Sequence, residues 1–168
     1  RTRRDAELTK DIYRRVPVLI KESSSEENPW GIRFLRMLDM ANDSGLFLTR
    51  EQLEADGWQL HGNVFRRHDD VYLPLYEAKM ISHFTHRFGD FSLVEPGERA
   101  HILPTPGYDL LARADYVPMP RYWVAVEEVN SRVPDWWRNQ WFMGWRDVTD
   151  PRSSVRTVVC CVIPRTAV

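Results

Sequence analysis

The sequence predicts an α+β fold: a single mixed domain over residues 1–168, with a small β-sheet and several short helices. Three observations predict it. The chain has 168 residues, 43% of them hydrophobic and 12% aromatic, which is enough for one buried core and too apolar for a disordered segment. Helical spacing and helix-start signals occur in short, separated stretches. Towards the C-terminal end, dense aromatic and β-branched runs flank a turn, as in paired strands.

The elements follow in order. Residues 5–15 read as a helix, because Leu8, Ile12 and Val16 recur every four residues and Pro17 stops the pattern. Residues 22–27 are polar and serine-rich, which predicts a loop. Residues 30–40 carry Ile32, Phe34, Leu35, Met37 and Leu38, which predicts a buried strand. Thr49 with Gln52 makes a capping box, so residues 50–56 form a short helix closed by Gly57. A short strand is expected over 71–73. A helix is expected over 75–87, entered through Pro74 and closed near Gly89. Residues 94–120 hold five prolines and predict an irregular excursion. A strand follows over 121–126, with helical character over 127–133. Two strands, 141–148 and 155–163, are expected to meet across a turn at 149–154.

Bulk properties set bounds on function. Net charge is −1, without the basic excess that dedicated nucleic-acid binders show. Lysine occurs at Lys10, Lys21 and Lys79, and every other basic residue among the 23 is arginine, which suits bidentate contacts to phosphate, guanine or carboxylate. No apolar run approaches the roughly 18 residues of a membrane span. The first residue, Arg1, suggests a piece of a longer protein. Cys160 and Cys161 are adjacent, point to opposite faces in a strand, and read as filler in a reducing cytoplasm.

The expected helix over 75–87 carries the most informative pattern. Tyr76, Met80, Phe84 and Phe88 form one apolar stripe, and Lys79, His83, His86 and Arg87 fall on the adjacent one. Four potential cations on one face suit a phosphate backbone, or equally a solvated face near a helix C-terminus. Glu77 falls within the apolar stripe and needs a partner, for which Arg146 and Arg156 are the candidates. Asp70 with Glu77 and Lys79 resembles the D…E-x-K pattern of metal-dependent nucleases, but on a helix Glu77 and Lys79 diverge. His83 and His86 lack a second Cys or His pair for zinc. The stretch Asn28-Pro29-Trp30-Gly31 lacks the second proline of an amino-methyltransferase motif, and the chain has no glycine-rich cofactor loop. Trp136, Trp137, Trp141 and Trp145 cluster, as a base-stacking surface or as core, and core is expected for at least Trp141 and Trp145.

Several segments, in order, resemble one family. Arg3 to Leu8, Asn28-Pro29-Trp30-Gly31 and Asn42 to Phe47 form its first part. Leu73-Pro74-Leu75-Tyr76-Glu77-Ala78-Lys79-Met80, with His83-Phe84 and His86-Arg87-Phe88, is its most distinctive block. Pro120-Arg121-Tyr122-Trp123-Val124, Trp145-Arg146-Asp147-Val148, Val155-Arg156-Thr157 and Ile163-Pro164-Arg165 complete it. Together these resemble the large fused adenine-specific DNA methyltransferases of type II restriction and bacteriophage-exclusion systems.

The resemblance implies a methyltransferase core preceding this region in the parent enzyme. That core binds S-adenosylmethionine and methylates the N6 of adenine in double-stranded DNA. This chain is implied to be a DNA-binding, specificity-associated domain in the target-recognition region, with double-stranded DNA and the methyltransferase core as partners and no catalysis and no cofactor of its own. A motif shared by enzymes that read different sequences is a poor base reader. Lys79, His83, His86 and Arg87 are therefore DNA-backbone or interface candidates, and Glu77, Arg146 and Arg156 structural ion-pair candidates. Base readers are expected in loops 94–118 or 132–139. The alternative function is a structural connector packing the target-recognition part against the methyltransferase core. It predicts an exposed apolar patch. A metal-dependent nuclease is the third reading.

Overall fold

A computed structural model describes residues 2–18, 28–95, 97–98, 100–149 and 158–168. The chain divides into two compact units, Arg1–Leu35 and Arg36–Val168.

In the first unit, helix α1 spans Arg3–Arg15. Thr2 and Asp5 close a reciprocal capping box, and Arg14 and Arg15 sit at the negative end of the helix. Its apolar residues stay in solvent: Leu8 is 61% exposed and Ile12 52%.

The second unit is α+β. Helix α2 is Arg50–Ala55, α3 is Tyr108–Leu111 and α4 is Val126–Arg132. Strands β1 (Gln59–His61), β2 (Val64–Arg67), β3 (Asp70–Pro74) and β4 (Trp123–Ala125) make an antiparallel sheet in chain order. Strands β5 (Trp141–Trp145) and β6 (Cys160–Pro164) make a separate antiparallel ribbon.

Local chemistry explains several elements. The Thr49–Gln52 capping box starts α2 as expected. Gly62, at φ +63°, takes the first position of the two-residue β1–β2 turn, where residues with a β-carbon are strained. This hairpin is absent from the sequence-based expectation, although Gly62-Asn63 between Leu60 and Val64 is its signal. Strand β3 extends one residue beyond each end of the expected 71–73, β4 and β5 are shorter than expected, and β6 runs one residue past its expected end. Residues 150–157, including Arg156 and most of the expected turn, lie outside the described residues.

Two expectations are corrected. Residues 30–40 form no strand; Met37 alone among them is buried, and Trp30, Phe34 and Leu35 are about half exposed. Local bonds replace a ladder here. Asn28 is tied to Ile32, and Asp39 accepts from the backbone of Ala41 and Asn42. Residues 75–87 form no helix beyond the single 3₁₀ turn Ala78–Met80. The chain stays extended past Pro74 because its amides have partners elsewhere. Leu75 N–H donates to Tyr122 C=O and Tyr76 N–H to Ala167 C=O, both at 2.9 Å. Tertiary hydrogen bonds override a period-four apolar pattern that has no cap.

Among the described residues the core lies in three clusters. Leu53, Trp58, Phe65 and Trp123 pack between α2 and the four-stranded sheet. Met37, Phe47, Leu75, Val124, Val129 and Val133 join α4 to β3 and β4. Tyr76, Met80, Ile81, Leu103, Cys161 and Ile163 bind the 75–90 segment to the inner face of β6.

Candidate functional site

The 75–90 segment holds the candidate residues, and it is built around Met80, which is fully buried. The backbone doubles back so that Phe88 and Gly89 N–H both donate to Met80 C=O at 3.1 Å. Gly89 is required by close approach, since a β-carbon there would lie 2.6 Å from Lys79 O and 2.9 Å from Leu103 Cβ.

This loop disperses the expected cationic stripe. Lys79 Nζ lies 3.4 Å from Glu77 Oε2, donates to Ala100 C=O and sits 4.8 Å above the Phe91 ring. Arg87 turns inward to the carbonyls of Arg113 and Tyr116, at 3.3 and 3.5 Å. His86 is half-buried. Burial, with Arg87 alongside, holds its pKa below the ordinary 6.5. The His83 ring lies tilted against the Phe84 ring, centroids 3.9 Å apart, and its Nδ1 is buried with no hydrogen-bond partner among the described residues. Phe84 sits at φ +65° in the Ser82–Thr85 turn with its ring 82% exposed. A bulky side chain is strained in that conformation, and such exposure returns little burial energy.

The expected Glu77–Arg146 pair does not form. Glu77 Oε2 takes Lys79, while Oε1 is buried without a partner among the described residues. Arg146 instead donates from Nε, at 2.9 Å, and from Nη2 to Ile81 C=O, with its guanidinium 5.5 Å from the Phe88 ring. It pins the 75–90 segment to the end of β5. A guanidinium bridging one carbonyl with two donors was not visible in the sequence, where arginine suggests a carboxylate partner.

Of the nuclease constellation, Glu77 and Lys79 come together as an ion pair at 3.4 Å, against the divergence expected on a helix. Asp70 begins β3 and Pro74 ends it, so about 13 Å of strand separates Asp70 from the chain leading to Glu77. Among the described residues no three His, Cys, Asp or Glu side chains converge on a metal position. Asn28 does not fit a methyltransferase role either. Its amide donates to Ile32 C=O at 2.7 Å and accepts from Ile32 N–H at 3.0 Å, which makes it the clamp of a local turn.

Two further features were not anticipated, and a third bears on the tryptophan cluster, whose Trp141 and Trp145 were expected in the core. Asp90 is 1% exposed and clasps the excursion. Its carboxylate accepts from Ser92 N–H and Oγ at 2.7 Å, Tyr116 OH at 2.6 Å and Met119 N–H at 3.2 Å. Burial and Asp90 together push the Tyr116 hydroxyl pKa well up. Next, an open cleft of about 750 Å³ is lined by Arg50, Lys79 and Arg121, with Glu51 and Glu98 offsetting their charge. Finally, the outer face of the β5–β6 ribbon is apolar. Trp141, Met143, Trp145 and Val162 are 41%, 67%, 47% and 53% exposed. Cys161, on the inner face, has its thiol pKa pushed up to about 11 by burial, with Cys160 adding to it, so it is poorly nucleophilic at neutral pH.

Among the described residues, no helix is long and apolar enough to cross a membrane. In comparisons with protein-family models, curated proteins and solved structures, nothing matches this chain.

Proposed function

We propose that the Arg36–Val168 unit is a non-catalytic connector of a cytoplasmic, adenine-specific DNA methyltransferase of the restriction or phage-defence kind. It packs the target-recognition part against the methyltransferase core, and S-adenosylmethionine binds in that core. One observation carries the connector over direct DNA contact: the block that most resembles the family is folded inward. Lys79 and Arg87 donate to the chain's own carbonyls, and Tyr76, Met80 and Ile81 are core. Groups committed in this way serve architecture, whereas phosphate contacts need outward, unengaged cations. The apolar outer face of the β5–β6 ribbon supports the same reading, because exposed apolar patches mark docking surfaces.

The test is fluorescence anisotropy of the chain with duplex DNA at low and moderate salt, beside co-purification with the methyltransferase core supplied in trans. The connector predicts retention by the core and negligible DNA binding. Salt-dependent DNA binding that disappears in Arg50→Ala and Arg121→Ala variants would overturn it in favour of direct contact.

A further inference from the structure

At the turn within the 75–90 segment, residue type and backbone conflict. Ser82 N–H donates to Thr85 C=O at 2.8 Å and Thr85 N–H to Ser82 C=O at 3.1 Å, which closes a tight turn over His83 and Phe84. A positive φ at the third position of a four-residue turn calls for Gly or Asn. Phe84 occupies that position at φ +65°. His68, the other residue with a β-carbon at positive φ among those described, is a type that tolerates it and sits in the β2–β3 hairpin turn. The Phe84 turn is also fastened from several sides. Phe84 N–H donates to Cys160 C=O at 3.0 Å, Arg87 N–H to Thr85 Oγ1 at 3.1 Å, and Arg146 holds Ile81 C=O just before the turn.

Burial does not offset the strain. Phe84 is 82% exposed, belongs to none of the three core clusters, and meets one ring among the described residues, that of His83. Folding alone would favour Gly or Asn here. A stiff aromatic side chain held out on a rigid turn has the properties of a binding anchor, because little freedom is lost on capture and its burial awaits a pocket on a partner. The surroundings favour a protein pocket over a nucleic-acid base. Ser82 to His86 carry no fixed charge. The neighbouring cations Arg87 and Arg146 donate to the chain's own carbonyls, so a stacked base would bring its phosphates to a turn without a free counter-charge. The turn is bonded to β6, whose Val162 belongs to the apolar outer face, so it borders the surface on which the connector reading seats the methyltransferase core.

We infer that Phe84 is an anchor residue that inserts into an apolar, ring-sized pocket of the methyltransferase core. This rests on the connector reading and adds the residue through which the contact is made. The test titrates the whole chain against the immobilised methyltransferase core of the same polypeptide, beside thermal unfolding of the chain alone. Phe84→Gly and Phe84→Asn should bind the core at least about tenfold more weakly than the wild type. Both should melt no lower, since Gly and Asn suit the left-handed backbone. Tyr108→Ala removes a side chain that is 84% exposed on the excursion and should bind as the wild type does. Wild-type affinity in both Phe84 variants overturns the inference and leaves the connector in place. Equal weakening by Tyr108→Ala overturns it too, because that result indicates unspecific adhesion. Melting more than about 2 °C lower in both Phe84 variants overturns it, because the ring then supports the fold. Phe84-dependent binding to single-stranded DNA overturns it in favour of base stacking. A wild-type chain that the core does not retain removes the connector reading itself, and the anchor with it.

Discussion

The two sheets of this molecule show different uses of the same kinds of residue. In the four-stranded sheet, Trp123 is 2% exposed, meets Phe65 edge-on at 5.0 Å and donates its indole N–H to Asn63 C=O. In the β5–β6 ribbon, Trp141 and Trp145 remain nearly half exposed. The first sheet has α2 and α4 to cover its apolar residues. The ribbon is covered on its inner face by the 75–90 segment, and the described residues of its outer face stay partly exposed. Abundant tryptophan marks core in one place and available surface in the other.

The largest effect is expected at Trp123. Trp123→Ala removes a fully enclosed side chain and should cost about 3–5 kcal/mol, read as a lower urea midpoint. A loss below about 1 kcal/mol would mean that the first sheet is no better packed than the ribbon. Next is Arg146→Ala, which frees Ile81 C=O and unpins the ribbon from the 75–90 segment. Loss of a charge-assisted hydrogen bond should cost about 1.5–3 kcal/mol. An unchanged melting temperature would show that the two regions hold together without it.

A smaller effect is expected from pH. The folded-state pKa of His86 lies below 6.5, so protons bind the unfolded chain more readily. Its contribution is present above the unfolded pKa and is lost as pH falls through the folded pKa. Melting temperature measured from about pH 7 down to 5 should decline, and His86→Asn should flatten that decline. Equal slopes in both proteins would remove His86 as the cause. The smallest effect belongs to the outer face. Val162→Thr should shift stability by no more than about 0.5 kcal/mol, and a larger loss would show that this face is packed in solution.

The α+β class was legible from patterning, as was α2, whose capping box is a purely local signal. The Glu127–Val133 helical stretch and the C-terminal strand pair were also visible. The failures share one cause. Over 75–87 and 30–40 the apolar residues are real, but the backbone hydrogen bonds go elsewhere. Leu75 and Tyr76 bond to Tyr122 and Ala167, which no local pattern encodes. The expected cationic face was lost for the same reason. Once the helix is gone, Lys79, His83, His86 and Arg87 no longer share a face. Residue types were read correctly, but their directions depend on tertiary pairing.

The Asp90 clasp has a consequence for how this fold can diversify. By fastening Ser92, Tyr116 and Met119 to one buried carboxylate, it closes the base of the excursion independently of what lies at its tip. Residues 107–115, where Tyr108 is 84% exposed, thus form a replaceable cassette. Loop-closure entropy rises by only about 0.6 kcal/mol for each doubling of loop length. New lengths and chemistries can be installed there while the sheet beneath is unchanged.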